Sequence, residues 1–361
     1  MNVSRMWTIT RLDLTQRIRT VSWFVMLGVF AVMMLAATML AFTAVGTMDD
    51  AGPAVYSTVV FLALLLIVLV SPTLSGNSIN GDRDAATLAS LQITQATTTD
   101  ILLGKFLAAW ITGLAFAVLT IPFLIFASLA GGVNPLTVVV SAVVLVIEAG
   151  IIAAFGTALS GIMARPLFSV ATTYLVVSAL ALGTVIGFGL VGASITTEQT
   201  YRYQSAQYDP ATGEPLCRDG VERCWNDPED MICDDWQSET SRIPRFDRVW
   251  WMLAPNPFVI LADATPAEFD RNGYPIDLFG WAKSSVRSAQ LPPDDVTGWS
   301  DCDPELFASP QATSEEVVAS TAPSWFVGLG LQLALAAALM VWAGLRTRTP
   351  ARKLPPGTRI A

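Results

Sequence analysis

Six stretches of the chain are apolar with hardly a break, and the polar residues gather between them. They cover Val21–Val45, Ala54–Leu74, Leu102–Ala130, Leu136–Ser160, Leu167–Ala193 and Ser324–Leu345. Each supplies the roughly 20 helical residues that cross a hydrocarbon core. In lipid only helices and closed barrels satisfy every backbone amide, and these runs are too long for barrel strands. The pattern predicts six membrane-spanning helices, spans one to six. A buried helix of a large soluble protein is the alternative for any single run, but six in one chain argue against it. Span one is longer than the apolar core of a signal peptide and no small-residue cleavage site follows, so it is expected to be retained.

Composition agrees with the pattern. The 361 residues are 53% hydrophobic and 14% charged, where a soluble domain carries about 25% charge. The mean hydropathy is +0.52. There is no histidine, which excludes Ser-His-Asp and Cys-His catalysis and any His-containing zinc site. The net charge of −9 suggests no nucleic-acid partner.

Charge then sets an expected direction. Arg5, Arg11, Arg17 and Arg19 precede span one against a single acid, Asp13. Arg83 and Lys105 lie between spans two and three, and Arg165 between spans four and five. The tail holds Arg346, Arg348, Arg352, Lys353 and Arg359 with no acid. With six spans all these segments share one side, while Asp49, Asp50 and an uncharged Gly131–Pro135 turn share the other. Both termini are therefore expected in the cytoplasm and the protein in the plasma membrane.

Residues 194–322 form the one long polar segment, expected outside, with 23 acidic and 9 basic residues. Cys217, Cys224, Cys233 and Cys302 all fall in it. An even number on the oxidising side reads as two disulfides, and three pairings are possible. One bond inside 217–233 and one tying Cys302 back to that cluster is the expectation; a metal site is the competing reading, without the spacing of a paired zinc knuckle. The segment is rich in Asp, Pro and Gly, which predicts an irregular domain of loops with short strands or helices. Its tryptophans, 225, 236, 250, 251, 281 and 299, read as core packing or membrane contact, and alternatively as a hydrophobic lid. Within it Val249–Ala264 (VWWMLAPNPFVILADA) is apolar but broken by Pro255 and Pro257. Trp250, Trp251, Asn256, Pro257 and Phe258 mark it as an interfacial or re-entrant piece.

The expected fold is an all-α polytopic membrane protein, with a disulfide-stapled extracytoplasmic domain inserted between helices 5 and 6. An interfacial helix occupies 1–20, spans one to five 21–193, the outer domain 194–322, span six 323–345 and a basic tail 346–361. Residues 5–19 mix arginines with Trp7, Ile9, Leu12, Leu14 and Ile18, as an amphipathic helix at the inner interface does, whether as inert anchor or working part. In the loop over 75–101, Asn80 or Asp82 is expected to cap a short helix over Asp84–Leu91. Thr97–Thr99 break it, and Asp100 is expected to cap span three. The apolar side of that helix, Leu88, Leu91 and Ile93, has no lipid to cover it and calls for a protein partner. Asp82, Arg83 and Asp84 would offer that partner charged contacts.

The stretch GDRDAATLASLQITQATTTDILLGKFLAAW resembles the E-R-E-x-G-T-L-x-x-L-L-x-T-P-V-S-…-G-K segment after the second span of ABC-2 type transporter permeases. Gly81, Asp82, Arg83, Asp84, Thr87, Leu88 and Leu91 match its start; Thr94, Ile101, Leu102, Gly104 and Lys105 match its end. Asp82 and Asp84 replace glutamates and keep the charge. Ala86 replaces a glycine and Gln95-Ala96 a Thr-Pro-like turn. The resemblance covers the membrane part, about 230 residues, with Asn256–Phe258 ahead of the last span, and leaves out 194–250 and 264–322. It implies a dimerising permease subunit of an ATP-driven exporter, non-catalytic itself, with ATP and Mg bound on a separate ATP-binding subunit. Residues 82–93 would be the coupling helix, 5–19 the elbow helix, and spans one and five would face a second permease copy.

No G-x-x-x-x-G-K-[ST] occurs, so this chain holds no nucleotide site of that kind. Glu148 is the sole acid well inside a span, a position that points to a pathway or relay, or to a hydrogen-bonded glutamate facing another helix. Gly183, Gly187, Gly189 and Gly192 allow close helix packing on span five. The largely apolar spans suit a hydrophobic or amphipathic cargo: a lipid, a drug or a peptide. The rival readings are an interaction or signalling protein acting through the acidic domain, a proton-coupled carrier using Glu148, and, last, a membrane enzyme.

Overall fold

The computed structural model describes residues 2–45, 51–84, 96–218, 224, 228–303 and 312–347. The chain is mostly helical, 70% of it, and six helices are long and apolar enough to cross a membrane. They run over Val21–Val45, Ala51–Ser75, Thr98–Leu129, Pro135–Ile162, Pro166–Ser194 and Trp325–Thr347. Every predicted span is present, with ends moved by a few residues as far as local caps carry them. Span three shows how. Thr97 is its N-cap and accepts the Asp100 amide, while the Asp100 carboxylate accepts the Thr97 amide. This reciprocal box corrects the expectation that Asp100 itself caps the helix.

Spans two and four are the most buried, with spans one, five and six packed around them. Tyr56 on span two bonds Ser141 on span four, and the Trp110 indole on span three donates to the Val146 carbonyl. Phe116 receives Trp23 and Phe30 of span one. Glycines at several crossings let elements approach closely. A Cβ on Gly156 would overlap Ser75 of span two, and one on Gly328 would overlap the Ala254 carbonyl.

One end of the bundle gathers the N-terminal helix Val3–Ile18, the turn after span two and the ends of spans four and six. The other end carries 195–324, where the all-α expectation is corrected. A three-stranded sheet forms there in the order β2-β1-β3. Strand β1 (Thr196–Gln204) pairs antiparallel with β2 (Gln237–Pro244) and parallel with β3 (Val296–Ser300). A parallel partner requires a long crossover, and the crossover contains helices Pro257–Ala264 and Leu278–Ser288. Both sit on the bundle. Ile260, Leu261 and Phe279 belong to its core, Phe279 and Phe258 meet Phe61, and the Leu278 amide donates to Ser57 on span two.

The disulfides are Cys217–Cys224 and Cys233–Cys302, the expected pattern. None of the described tryptophans is fully buried in this domain. Trp251, Trp281 and Trp299 are exposed, Trp236 carries Arg202 over its ring, and Trp225 lies outside the described residues.

Candidate functional site

The cluster of most consequence lies at the end that holds the N-terminal helix. Asn2 caps that helix, and its own amide donates to Asp100 at the start of span three. One turn further along span three, Gly104 leaves room for Ile9, and its carbonyl accepts the Thr10 hydroxyl. Asp13 then meets Lys105. The Lys105 ammonium lies 2.9 Å from Asp13 and 2.8 Å from Asp82, and Arg17 closes on Asp13 at 2.9 Å. Burial pushes the Asp13 carboxyl up, but the Arg17 and Lys105 charges and their hydrogen bonds outweigh it and hold the group below its usual range. The four charges alternate in sign and join the N-terminal helix, the turn after span two and the start of span three. A groove of about 270 Å³ opens beside them, lined also by Asn77 and Ser78.

A short helix runs over Asn80–Asp84, and the helix predicted over Asp84–Leu91 lies, beyond Asp84, outside the described residues. Asn80 is its first residue and is buried. The cap comes from span four: Ser160 Oγ accepts the amides of Ile79 and Asn80. Arg83 reaches back, donating to the Asn80 side chain and to the carbonyls of Met163 and Gly161. Asp82 and Arg83 thus make their bonds within the chain, and both stay half-buried. Asp84 is exposed; Thr87, Leu88 and Leu91 lie outside the described residues.

A second polar group sits deeper. Glu148 is 1% exposed on span four, and Gln332 of span six is the side chain that acts on it. Gln332 also donates to the Pro255 carbonyl. The next residue, Asn256, does two things. Its oxygen caps Pro257–Ala264, and its amide nitrogen donates to the Ala181 carbonyl and to Thr184 on span five. Ala181 lies in a single π-turn, Ala179–Gly183. Such a turn disturbs the regular i→i−4 ladder, and Asn256 engages the backbone there. Of the predicted interfacial residues, Pro257 and Asn256 are buried, Trp250 and Phe258 half-buried and Trp251 exposed. Two glycines of span five pack against the same stretch of chain. Gly187 faces Met252, and Gly192 faces Phe246, so two of the four receive the segment after β2.

Lys105 was legible only as the end of a motif, Asp13 only as a lone acid among arginines, and Gln332 not at all. A lysine close to the start of an apolar run and a glutamine inside one were the available signals. Asp263 was missed too. Buried in an apolar segment, it pairs with Arg287 at 2.7 Å and accepts the amides of Ser324 and Trp325, fixing the start of span six. No family model matches the chain, and no curated protein matches it.

Proposed function

We propose that this multi-pass membrane protein is the permease subunit of an ATP-driven exporter of the ABC-2 type. ATP is hydrolysed by a separate subunit, and the cargo is hydrophobic or amphipathic. The observation that carries the reading is the charge chain Arg17–Asp13–Lys105–Asp82. It makes the N-terminal helix, the turn after span two and the start of span three into one base, directly before residues 85–95, where a coupling element belongs. Basic residues at the same end favour a cytoplasmic position for it, with residues 194–322 outside. Those spans that are least buried, one and five, are free to meet a second permease copy. Apolar spans favour cargo that partitions into lipid over sugars and inorganic ions.

The test is co-expression of the full chain with ATP-binding subunits of the same genome. Stoichiometric co-purification and hydrolysis stimulated by hydrophobic compounds are expected. Replacing 85–91 with a Gly-Ser stretch should keep the spans folded and abolish the stimulation. A chain that recruits no ATPase, or hydrolysis that answers only to sugars or ions, would sink the reading. A proton-coupled carrier is favoured by one observation, the buried Glu148 beside Gln332; proton-driven uptake into vesicles without nucleotide would support it instead.

A further inference from the structure

We infer that Arg83 is a positioning residue. With Ser160 it welds the helix Asn80–Asp84 to the end of span four, so that force applied beyond Asp84 is delivered to span four. The inference rests on the coupling role proposed for residues 85–95.

The joint is reciprocal. The first amides of a helix and its last carbonyls have no partners within it. Here Ser160 on span four takes the amides of Ile79 and Asn80, at 3.0 and 3.1 Å. Arg83 in return donates to Met163 and Gly161 at the end of span four, at 3.0 and 3.2 Å. It also holds its own helix through Asn80 at 2.9 Å. Each element caps the other. Ile79, Asn80 and Ser160 are all buried. A Cβ on Gly161 would press on Ala343 at 3.0 Å and on Ile79 at 3.3 Å, so the end of span four is closed on both sides.

The position of the joint gives it leverage. Span four is the most buried of the six. Glu148 lies twelve residues before Ser160 on the same helix, roughly 18 Å along it at 1.5 Å per residue. There Gln332 links span six to Pro255, and Asn256 links the same turn to span five. Movement of the short helix is thereby applied to the helix that reaches all of these. A lysine at 83 would keep the charge and lose the planar fork that serves three acceptors.

All four cysteines are in disulfides, so two added ones can be labelled alone. Asp84→Cys and Ala164→Cys are both exposed positions flanking the joint. Spin labels on the full chain in lipid nanodiscs, with and without the ATPase subunit, report their separation. A narrow separation that is identical in nucleotide-free and ATP-trapped states is expected. R83A, R83K and S160A should each broaden it and lower cargo-stimulated hydrolysis, roughly tenfold for Arg83, with the ATPase still bound in unchanged amount. An R83K chain that matches the natural one in both readouts, or an R83A chain that loses its ATPase, overturns the inference. Should the natural chain bind no ATPase, the coupling reading fails by itself. The label widths of the isolated chain then decide the joint, and unchanged widths in R83A and S160A overturn it.

Discussion

Lys105 is 5% exposed and holds two carboxylates from elements far apart in sequence. Removing one member of a buried ion pair leaves the others uncompensated, a loss that costs about 3–5 kcal/mol. Lys105→Met should therefore lower stability by about that amount, read as the unfolding midpoint in detergent. Asp82→Asn should cost less, because Asp82 is the more exposed carboxylate and Lys105 keeps Asp13. A Lys105→Met chain as stable as the natural one would show that the pair is not what holds the N-terminal helix. Lys105→Met with Asp13→Asn should recover part of the loss, since the double change removes one stranded charge.

Asn256 is the link on which the Pro257–Ala264 helix depends. A serine there keeps the cap but is too short to reach the π-turn of span five; an alanine loses both. Loss of the cap costs about 1 kcal/mol, and each lost hydrogen bond to the π-turn a similar amount. Hydrogen exchange of the 257–264 amides should rise in the order natural chain, Asn256→Ser, Asn256→Ala. Equal rates in the two variants would mean that the contact with Ala181 and Thr184 contributes nothing. The NPF triplet was visible in the sequence as a break in an apolar run. Its partner was not, because a π-turn is a local change of hydrogen-bond register with no composition of its own.

Across the whole molecule the two disulfides are unequal. Cys233–Cys302 closes a separation of 69 residues and Cys217–Cys224 one of 7. On chain entropy the long closure is worth about 4 kcal/mol and the short one about 2 kcal/mol. Replacing both cysteines of the long bond by serine should lower the unfolding temperature of the 195–324 domain further than the same change in the short bond. Acidity acts on the same domain. Burial pushes the Asp277 carboxyl up to about 6, Glu268 adds to this, and the Gly280 amide and Lys283 oppose it. A folded value above the unfolded one near 3.9 means that the folded state binds the extra proton. This contribution is full below pH about 4 and is lost as pH rises through 6. Asp247 has the opposite sign: the Arg245 hydrogen bond holds it low, and its contribution is lost as pH falls. Asp277→Asn should flatten the stability change between pH 4 and 6, measured by thermal unfolding; an unaltered slope would remove Asp277 from the account. The six spans, the polar domain between the last two and the pattern of cysteine pairing were all readable from the chain. Hydrophobic transfer sums over neighbouring residues, so a run of apolar side chains declares a span wherever it later packs. Only the tertiary structure could decide that Lys105 meets Asp13 and Asp82, that Arg83 faces span four, and that Gln332 stands beside Glu148. Those contacts depend on how each helix is rotated about its axis against partners tens to hundreds of residues away, and packing of the whole bundle fixes that rotation.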